Sequence, residues 1–119
     1  MNNNRYNNSM LDRTTIDELI KRVVKIAQPS KLIVFGSEAR GGAEADSDID
    51  LLVITQGPVH RGHLTEKIYM SLIGVGRAVD VIVVTPEDIE QYRDNPYLVI
   101  YPALREGVVI YEKDAPIAR

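Results

Sequence analysis

The sequence LIVFGSEARGGAEADSDIDLLVIT, residues 32–55, decides how this chain folds. It holds two short apolar runs, 32–35 and 51–54, separated by a polar stretch that is rich in glycine and alanine. Short apolar runs with many branched side chains, bounded by glycine or polar residues, are typical of buried strands. The segment therefore predicts two strands, over residues 31–35 and 48–55, joined by a short helix and a loop within 37–46.

Helices and strands are also predicted before and after this segment. Thr15-Ile16-Asp17-Glu18 matches a capping box, so it predicts a helix with Thr15 as its N-cap, and Pro29 stops that helix. Pro102 is predicted to break a helical segment late in the chain. The later elements are predicted at residues 64–75 (helix), 78–84 (strand), 86–93 (helix), 97–106 (helix, split) and 108–111 (strand). This order predicts an α/β or α+β fold in which helices cover a sheet.

Length and composition predict one domain. The 119 residues can bury a single core, and we expect the folded unit at 11–113, with an asparagine-rich flexible lead at 1–10 and a flexible tail at 114–119. The formal charge of −3 gives no reason to expect direct nucleic-acid binding. No apolar run approaches the length of a membrane span, so no membrane partner is expected. The absence of cysteine excludes disulfides and fits a cytoplasmic location.

Three aspartates on the predicted strands are candidate metal ligands. Asp48 and Asp50 are two residues apart on one strand, so their side chains project to the same face, roughly 6.5–7 Å apart. Two carboxylates this close repel one another unless a cation lies between them, and Mg²⁺ prefers such oxygen ligands together with phosphate. Asp80 interrupts a later apolar run, where an acid is costly to bury without a partner. If the two strands are neighbours, Asp80 completes a three-acid cluster; a loop cap with solvated acids is the alternative.

The turn after the first strand is a candidate phosphate site. Gly36 allows close backbone approach, and Gly36-Ser37 leaves free amides at the start of a short helix, where a phosphate group can bind. An ordinary turn is the alternative interpretation. Arg40 is either a phosphate contact or a solvated residue. Together with the acids, this turn favours a reaction in which a hydroxyl attacks the α-phosphorus of a nucleotide and pyrophosphate leaves, with Asp80 binding a second metal or accepting the hydroxyl proton.

The motif Gly36-Ser37-x10-Asp48-x-Asp50, followed by Asp80 in a later apolar strand, resembles the polymerase-beta-like nucleotidyltransferases. The likeness runs from about residue 32 to residue 86. It implies a mixed sheet of about four strands flanked by helices, Mg²⁺ as cofactor and ATP as substrate. It also implies that the three aspartates are catalytic and bind the metal, while Gly36 and Ser37 bind the nucleotide.

Within that superfamily the chain resembles the minimal nucleotidyltransferases, which are single-domain proteins. Such proteins commonly pair with a HEPN-domain toxin, and as antitoxins they transfer AMP from ATP to a tyrosine of that partner. The resemblance therefore implies an antitoxin of a type VII-like toxin–antitoxin pair, and an oligomer formed with the partner. Two alternatives stay open, namely a binding module that neutralises its partner by occlusion without catalysis, and transfer to a small molecule.

Overall fold

The computed structural model describes residues 13–36, 48–95 and 100–114. Three predictions fall wholly or almost wholly outside these ranges: the flexible lead at 1–10, the short helix and loop within 37–46, and the flexible tail at 114–119. The described elements are α1 (Arg13–Ala27), β1 (Lys31–Phe35), β2 (Ile49–Ile54), α2 (Arg61–Ser71), β3 (Val79–Val84), α3 (Pro86–Tyr92), α4 (Ile100–Glu106) and β4 (Val108–Glu112).

The four strands form one mixed sheet in the order β3-β2-β1-β4. β2 pairs with β3 in parallel, whereas β1 is antiparallel to both β2 and β4. The chain therefore enters β2 and β3 from the same end of the sheet, and β1 leaves the sheet at that end. The predicted fold class, a mixed sheet of about four strands flanked by helices, is confirmed.

Each face of the sheet has its own apolar core. α1 and α2 cover one face, and the fully buried side chains of Leu19, Leu51 and Ile68 lie in this first core. α3 and α4 cover the other face, where Leu52 and Ala103 are fully buried in the second core. Because side chains alternate along a strand, β2 supplies odd-numbered residues to the first core and even-numbered residues to the second.

Three predictions about helices are wrong. The helix predicted at 64–75 is observed as α2 at Arg61–Ser71, since His60 caps its start and Gly74, with a φ of +91°, lies in the turn after its end. α1 begins at Arg13, so Thr15 lies inside the helix and is not its N-cap. Nothing in the two residues before Thr15 breaks a helix, and Glu18 accepts a hydrogen bond from Arg22 Nε at 2.8 Å instead of closing a capping box. Pro102 does not split α4, because it is the third residue of that helix. The first turn of a helix tolerates proline, since the missing amide would have no intrahelical acceptor there.

The start of α3 is confirmed as predicted. The Thr85 hydroxyl accepts a hydrogen bond from the Asp88 amide, the Asp88 carboxylate accepts one from the Thr85 amide, and Pro86 is the first residue of the helix. Over the described ranges, no helix is both long enough and apolar enough to cross a lipid bilayer.

Candidate active site

Asp50 and Asp80 are neighbours in the sheet. They are the second residues of β2 and β3, and the parallel register pairs them directly, so both side chains leave the same face at the amino ends of the two strands. That face is the one of the second core, to which Leu52 and Val84 belong further along the strands. Asp50 is half-buried and Asp80 is exposed. The structure therefore places together two of the three acids that the sequence singled out.

Asp48 lies just before β2 and is exposed. It is on the same side of the chain as Asp50 by the alternation of an extended backbone. Within residues 13–36, 48–95 and 100–114, however, no three or more His, Cys, Asp or Glu side chains are gathered closely enough to hold a metal ion. Of the predicted three-acid cluster, the structure therefore brings together Asp50 and Asp80. The metal-binding roles of all three acids stay predictions. Carboxylate oxygens on adjacent strands fit a hard divalent cation such as Mg²⁺ in kind.

Gly36 forms a cradle for the Asp50 carboxylate. It follows β1 directly, and Phe35 at the end of that strand pairs with Asp50. Its φ of +78° lies in the left-handed region that favours glycine. A Cβ atom at Gly36 would overlap Asp50 Oδ2 and would lie 3.4 Å from Asp50 Cγ. The glycine of the predicted phosphate turn therefore also makes room for one of the predicted metal ligands.

The other two predicted nucleotide-binding residues lie outside the described part of the chain. Ser37 and Arg40 both fall within residues 37–47, so their roles stay predictions.

At the opposite end of the β2–β3 pair lies an aspartate whose carboxylate is held by hydrogen bonds within the fold. Asp88, in the first turn of α3, accepts hydrogen bonds from the Thr85 amide at 2.9 Å and from the guanidinium of Arg61 on α2. Burial raises the pKa of the Asp88 carboxyl, but the hydrogen bond from the Thr85 amide and the contact with Arg61 outweigh burial, so the pKa lies below its ordinary value. Through its Oδ2 atom this carboxylate joins α2 to the start of α3.

Two grooves formed by the described residues lie away from the aspartate pair. One of about 460 Å³ lies between the end of β2 and α3, where Gln56, Glu87 and Glu90 line it. Another, of about 310 Å³, is lined by His60, His63 and other residues. His60 is the N-cap of α2, because its Nδ1 accepts the His63 amide at 3.1 Å. Both histidines are exposed.

One contact beside the acid pair was missed by sequence reasoning. The hydroxyl of Tyr69, on α2, accepts a hydrogen bond at 2.9 Å from the amide of Val81, the residue after Asp80. A helical tyrosine that reaches the backbone of the next strand leaves no pattern in the sequence.

Comparison with known proteins assigns the family. Residues 16–110 match the family described as "Nucleotidyltransferase domain", so the chain belongs to that family. A crystal structure of a candidate nucleotidyltransferase from Sulfolobus solfataricus has a similar fold, with a TM-score of 0.54, 18% sequence identity, and coverage of 88% of this chain and 93% of that one. At this identity the likeness shows the fold alone. No curated protein matches this sequence. The resemblance is confirmed for the superfamily, and the HEPN-paired antitoxin type stays a prediction.

Proposed function

We propose that this protein is a Mg²⁺-dependent adenylyltransferase that transfers AMP from ATP to a hydroxyl group, in particular a tyrosine, of a partner HEPN-domain toxin, and so acts as its antitoxin in the cytoplasm. Membership of the nucleotidyltransferase family supports nucleotidyl transfer as the general reaction. The metal, the nucleotide and the acceptor are the parts that this proposal adds.

The observation that carries the proposal is the pairing of Asp50 with Asp80 beside Gly36. Two carboxylates leave adjacent strands on one face, and a turn without a side chain lies next to them. Among the described residues, no hydrogen bond or ion pair engages the carboxylate of Asp80. An acid on a strand that has no structural partner is available for a ligand, and the resemblance to the polymerase-beta-like nucleotidyltransferases predicts metal ligands at these positions.

The proposed reaction assigns a task to each residue of the site. Asp48, Asp50 and Asp80 would hold Mg²⁺, which when bound neutralises charge on the triphosphate as it develops. The turn at Gly36-Ser37 would hold the β- and γ-phosphates through its amides. The acceptor oxygen attacks the α-phosphorus, the bond from that phosphorus to the β-phosphate oxygen breaks, and pyrophosphate leaves. The acceptor proton passes to Asp80 or to water.

Neutralisation by occlusion is the second candidate, and it requires an exposed surface to which the partner can bind. Met70 and Ile73, at the end of α2 and in the following turn, are 67% and 75% exposed. Large apolar side chains that are exposed next to one another are common at protein–protein interfaces. Such contacts would serve a catalytic antitoxin as well as an occluding one, so they do not separate the two functions.

Intact-mass measurement separates them. The chain is mixed with the protein encoded by the neighbouring gene, Mg²⁺ and ATP, and both masses are recorded with the toxic activity of the partner. We expect the partner to gain one or more AMP units with the unmodified chain, and none with Asp48→Asn/Asp50→Asn. Asp88→Asn is the matched control, because it alters an acid at the other end of the same strands. Neutralisation by the double variant without any mass gain would establish occlusion. If the partner neither gains AMP nor forms a complex with the chain, both functions are refuted. The search would then turn to small-molecule acceptors.

A further inference from the structure

We propose that Tyr69 is a positioning residue whose hydroxyl holds the free edge of β3 and thereby fixes the backbone that carries Asp80. The inference rests on the proposed function in one respect, since it takes Asp80 to be a metal ligand. Nothing in the family resemblance assigns a role to Tyr69.

The free edge of β3 is where Asp80 needs support. Among the four described strands, β3 is the outermost and pairs with β2 alone. The Ile49 amide donates to the Ala78 carbonyl at 2.8 Å, and the Thr55 amide donates to the Val84 carbonyl at 2.9 Å. Even-numbered residues of β3 therefore direct their backbone groups to β2, and odd-numbered residues direct theirs away from the sheet. The amide of Val81 consequently faces outward, and Tyr69 is its acceptor.

This hydrogen bond acts on the peptide unit that follows Asp80. The carbonyl of Asp80 faces β2, and the amide of Val81 faces Tyr69, so this one peptide unit is held from both sides. Without the hydroxyl, the outer side would be free to tilt at the edge of the sheet. A metal ligand must be held to within a fraction of an ångström, so a small tilt at its own backbone is sufficient to weaken binding.

The helix that carries Tyr69 is anchored to the rest of the fold. Tyr69 is 41% exposed, but its helical neighbour Ile68 is fully buried in the first core. Arg22, on α1, donates to the carbonyls of Ser71 at 3.2 Å and Ile73 at 2.7 Å, which fixes the end of α2. The backbone from which Tyr69 reaches the sheet is thus anchored to both the first core and α1.

A purely protective role for Tyr69 makes different predictions. A side chain across a free edge also discourages pairing with a strand from another molecule. Removal of a protective contact would promote association or lower stability without any selective effect on metal binding. Removal of a positioning contact would weaken metal binding, while the temperature of unfolding would stay close to that of the unmodified protein.

The test uses Tyr69→Phe, which removes only the hydroxyl oxygen, and Tyr111→Phe on β4 at the opposite edge as the matched control. Amide hydrogen exchange of Val81 is followed by NMR. The Asp80 amide resonance is followed during a Mg²⁺ titration with a non-hydrolysable ATP analogue, and the temperature of unfolding is recorded. For Tyr69→Phe we expect Val81 to exchange faster by on the order of threefold to tenfold, as loss of one hydrogen bond implies. We also expect a rise of similar size in the Mg²⁺ concentration at which the shift of the Asp80 resonance is half complete. Tyr111→Phe should show neither change.

Unchanged Val81 exchange, or faster exchange with unchanged Mg²⁺ dependence, would overturn the inference. Faster exchange at all amides of the sheet, together with a lower temperature of unfolding than that of Tyr111→Phe, would mean a structural role only and would also overturn it. If the unmodified protein transfers no AMP, the proposed function fails, while the titration at Asp80 still decides the inference. If Mg²⁺ leaves Asp80 unaffected in the unmodified protein, Asp80 is not a ligand and the inference is refuted.

Discussion

The two ends of the parallel β2–β3 pair both carry aspartates, and the two ends use them differently. At the carboxyl end, Asp88 binds the Thr85 amide and the Arg61 side chain, and it joins α2 to α3. At the amino end, Asp50 and Asp80 lie side by side next to a glycine that leaves room for a carboxylate. The carboxyl end has a groove of about 460 Å³, whereas the amino end has the acids that suit a metal.

The two acids differ in whether the fold supplies hydrogen-bond or ion-pair partners for the carboxylate. Asp88, which has such partners, is a structural acid, and Asp80 is a candidate catalytic one. The hydrogen bonds to Asp88 come from its own helix cap and from a neighbouring helix, so its negative charge is used within the fold. Asp80 lies in an apolar edge strand, and its carboxylate contributes nothing to the described packing. Because Asp80 is exposed, its charge carries no large burial cost, and its carboxylate is accessible to a ligand from solvent.

The largest expected effect belongs to the amino end. Asp48→Asn/Asp50→Asn should lower the rate of AMP transfer by on the order of 10²–10³-fold, because amide oxygens do not replace the charge that holds the cation. The rate of AMP incorporation into the partner is the measurement, and Asp88→Asn should keep a rate close to that of the unmodified protein. A double variant that transfers AMP normally would exclude this end as the active site.

Gly36→Ala should have the next largest effect. The new methyl group would displace the Asp50 carboxylate, and we expect transfer to fall by on the order of tenfold to a hundredfold. Gly76→Ala is the matched control: its φ is +98°, and the new methyl group would meet no atom within 4 Å. Both variants should lose about 1–2 kcal/mol of unfolding free energy from backbone strain. Equal activity in the two variants would show that the cradle for Asp50 is not needed.

A smaller effect is expected from the carboxyl end, on stability alone. Because the pKa of Asp88 in the folded chain lies below its ordinary value of 3.8, the carboxylate stabilises the fold at higher pH, and this contribution is lost as pH falls through the lowered pKa. Asp88→Asn should therefore lower the unfolding free energy by about 1–2 kcal/mol at pH 7, and the difference should shrink below about pH 4. Urea unfolding at several pH values measures this difference in unfolding free energy between the variant and the unmodified protein.

Glu18→Gln provides the comparison for that experiment. The hydrogen bond from Arg22 lowers the pKa of Glu18, but this pair lies on the surface of α1. Surface pairs contribute little, so we expect a much smaller change in unfolding free energy than for Asp88→Asn. A difference for Asp88→Asn that is the same at pH 3 and pH 7 would refute the electrostatic account of the carboxyl end.

The smallest effect is expected at the end of β2 and should have the opposite sign. The Thr55 hydroxyl is buried, and it has no hydrogen-bond partner among the described residues. Thr55→Val keeps the shape and removes this polar atom, so it should raise the unfolding free energy by up to about 1 kcal/mol. Thr85→Val should instead lower it, because the Thr85 hydroxyl accepts the Asp88 amide. Thermal unfolding compares the two variants, and destabilisation by both would mean that Thr55 has a partner in solution.

The sequence predicted the positions of the strands well, for a physical reason. The predicted β1 and the observed β1 have the same bounds, and the predicted β2 and β3 are each one or two residues longer than the observed strands. Buried strands are short, apolar and bounded by breakers, so their signal is local. The signal for the start of α3 at Pro86 is local too, and that start was predicted correctly.

Features that depend on contacts between distant residues could not be predicted. Asp80 was predicted to join the acids only if its strand adjoined β2, and the parallel register with Asp50 needed the folded sheet. The capping role of His60 was missed because histidine is not among the usual capping residues. The hydrogen bond from Val81 to Tyr69 joins a strand to a helix whose own sequence gives no sign of it.

The most direct test of the account is to find which end of the β2–β3 pair binds the metal. Mn²⁺ binds the same oxygen ligands as Mg²⁺ and broadens the NMR resonances of nearby residues. With Mn²⁺ and a non-hydrolysable ATP analogue, we predict selective broadening at Gly36, Asp50 and Asp80, and its loss in Asp48→Asn/Asp50→Asn. Broadening centred on Glu87 and Asp88, with the amino end unaffected, would contradict the assignment of the active site.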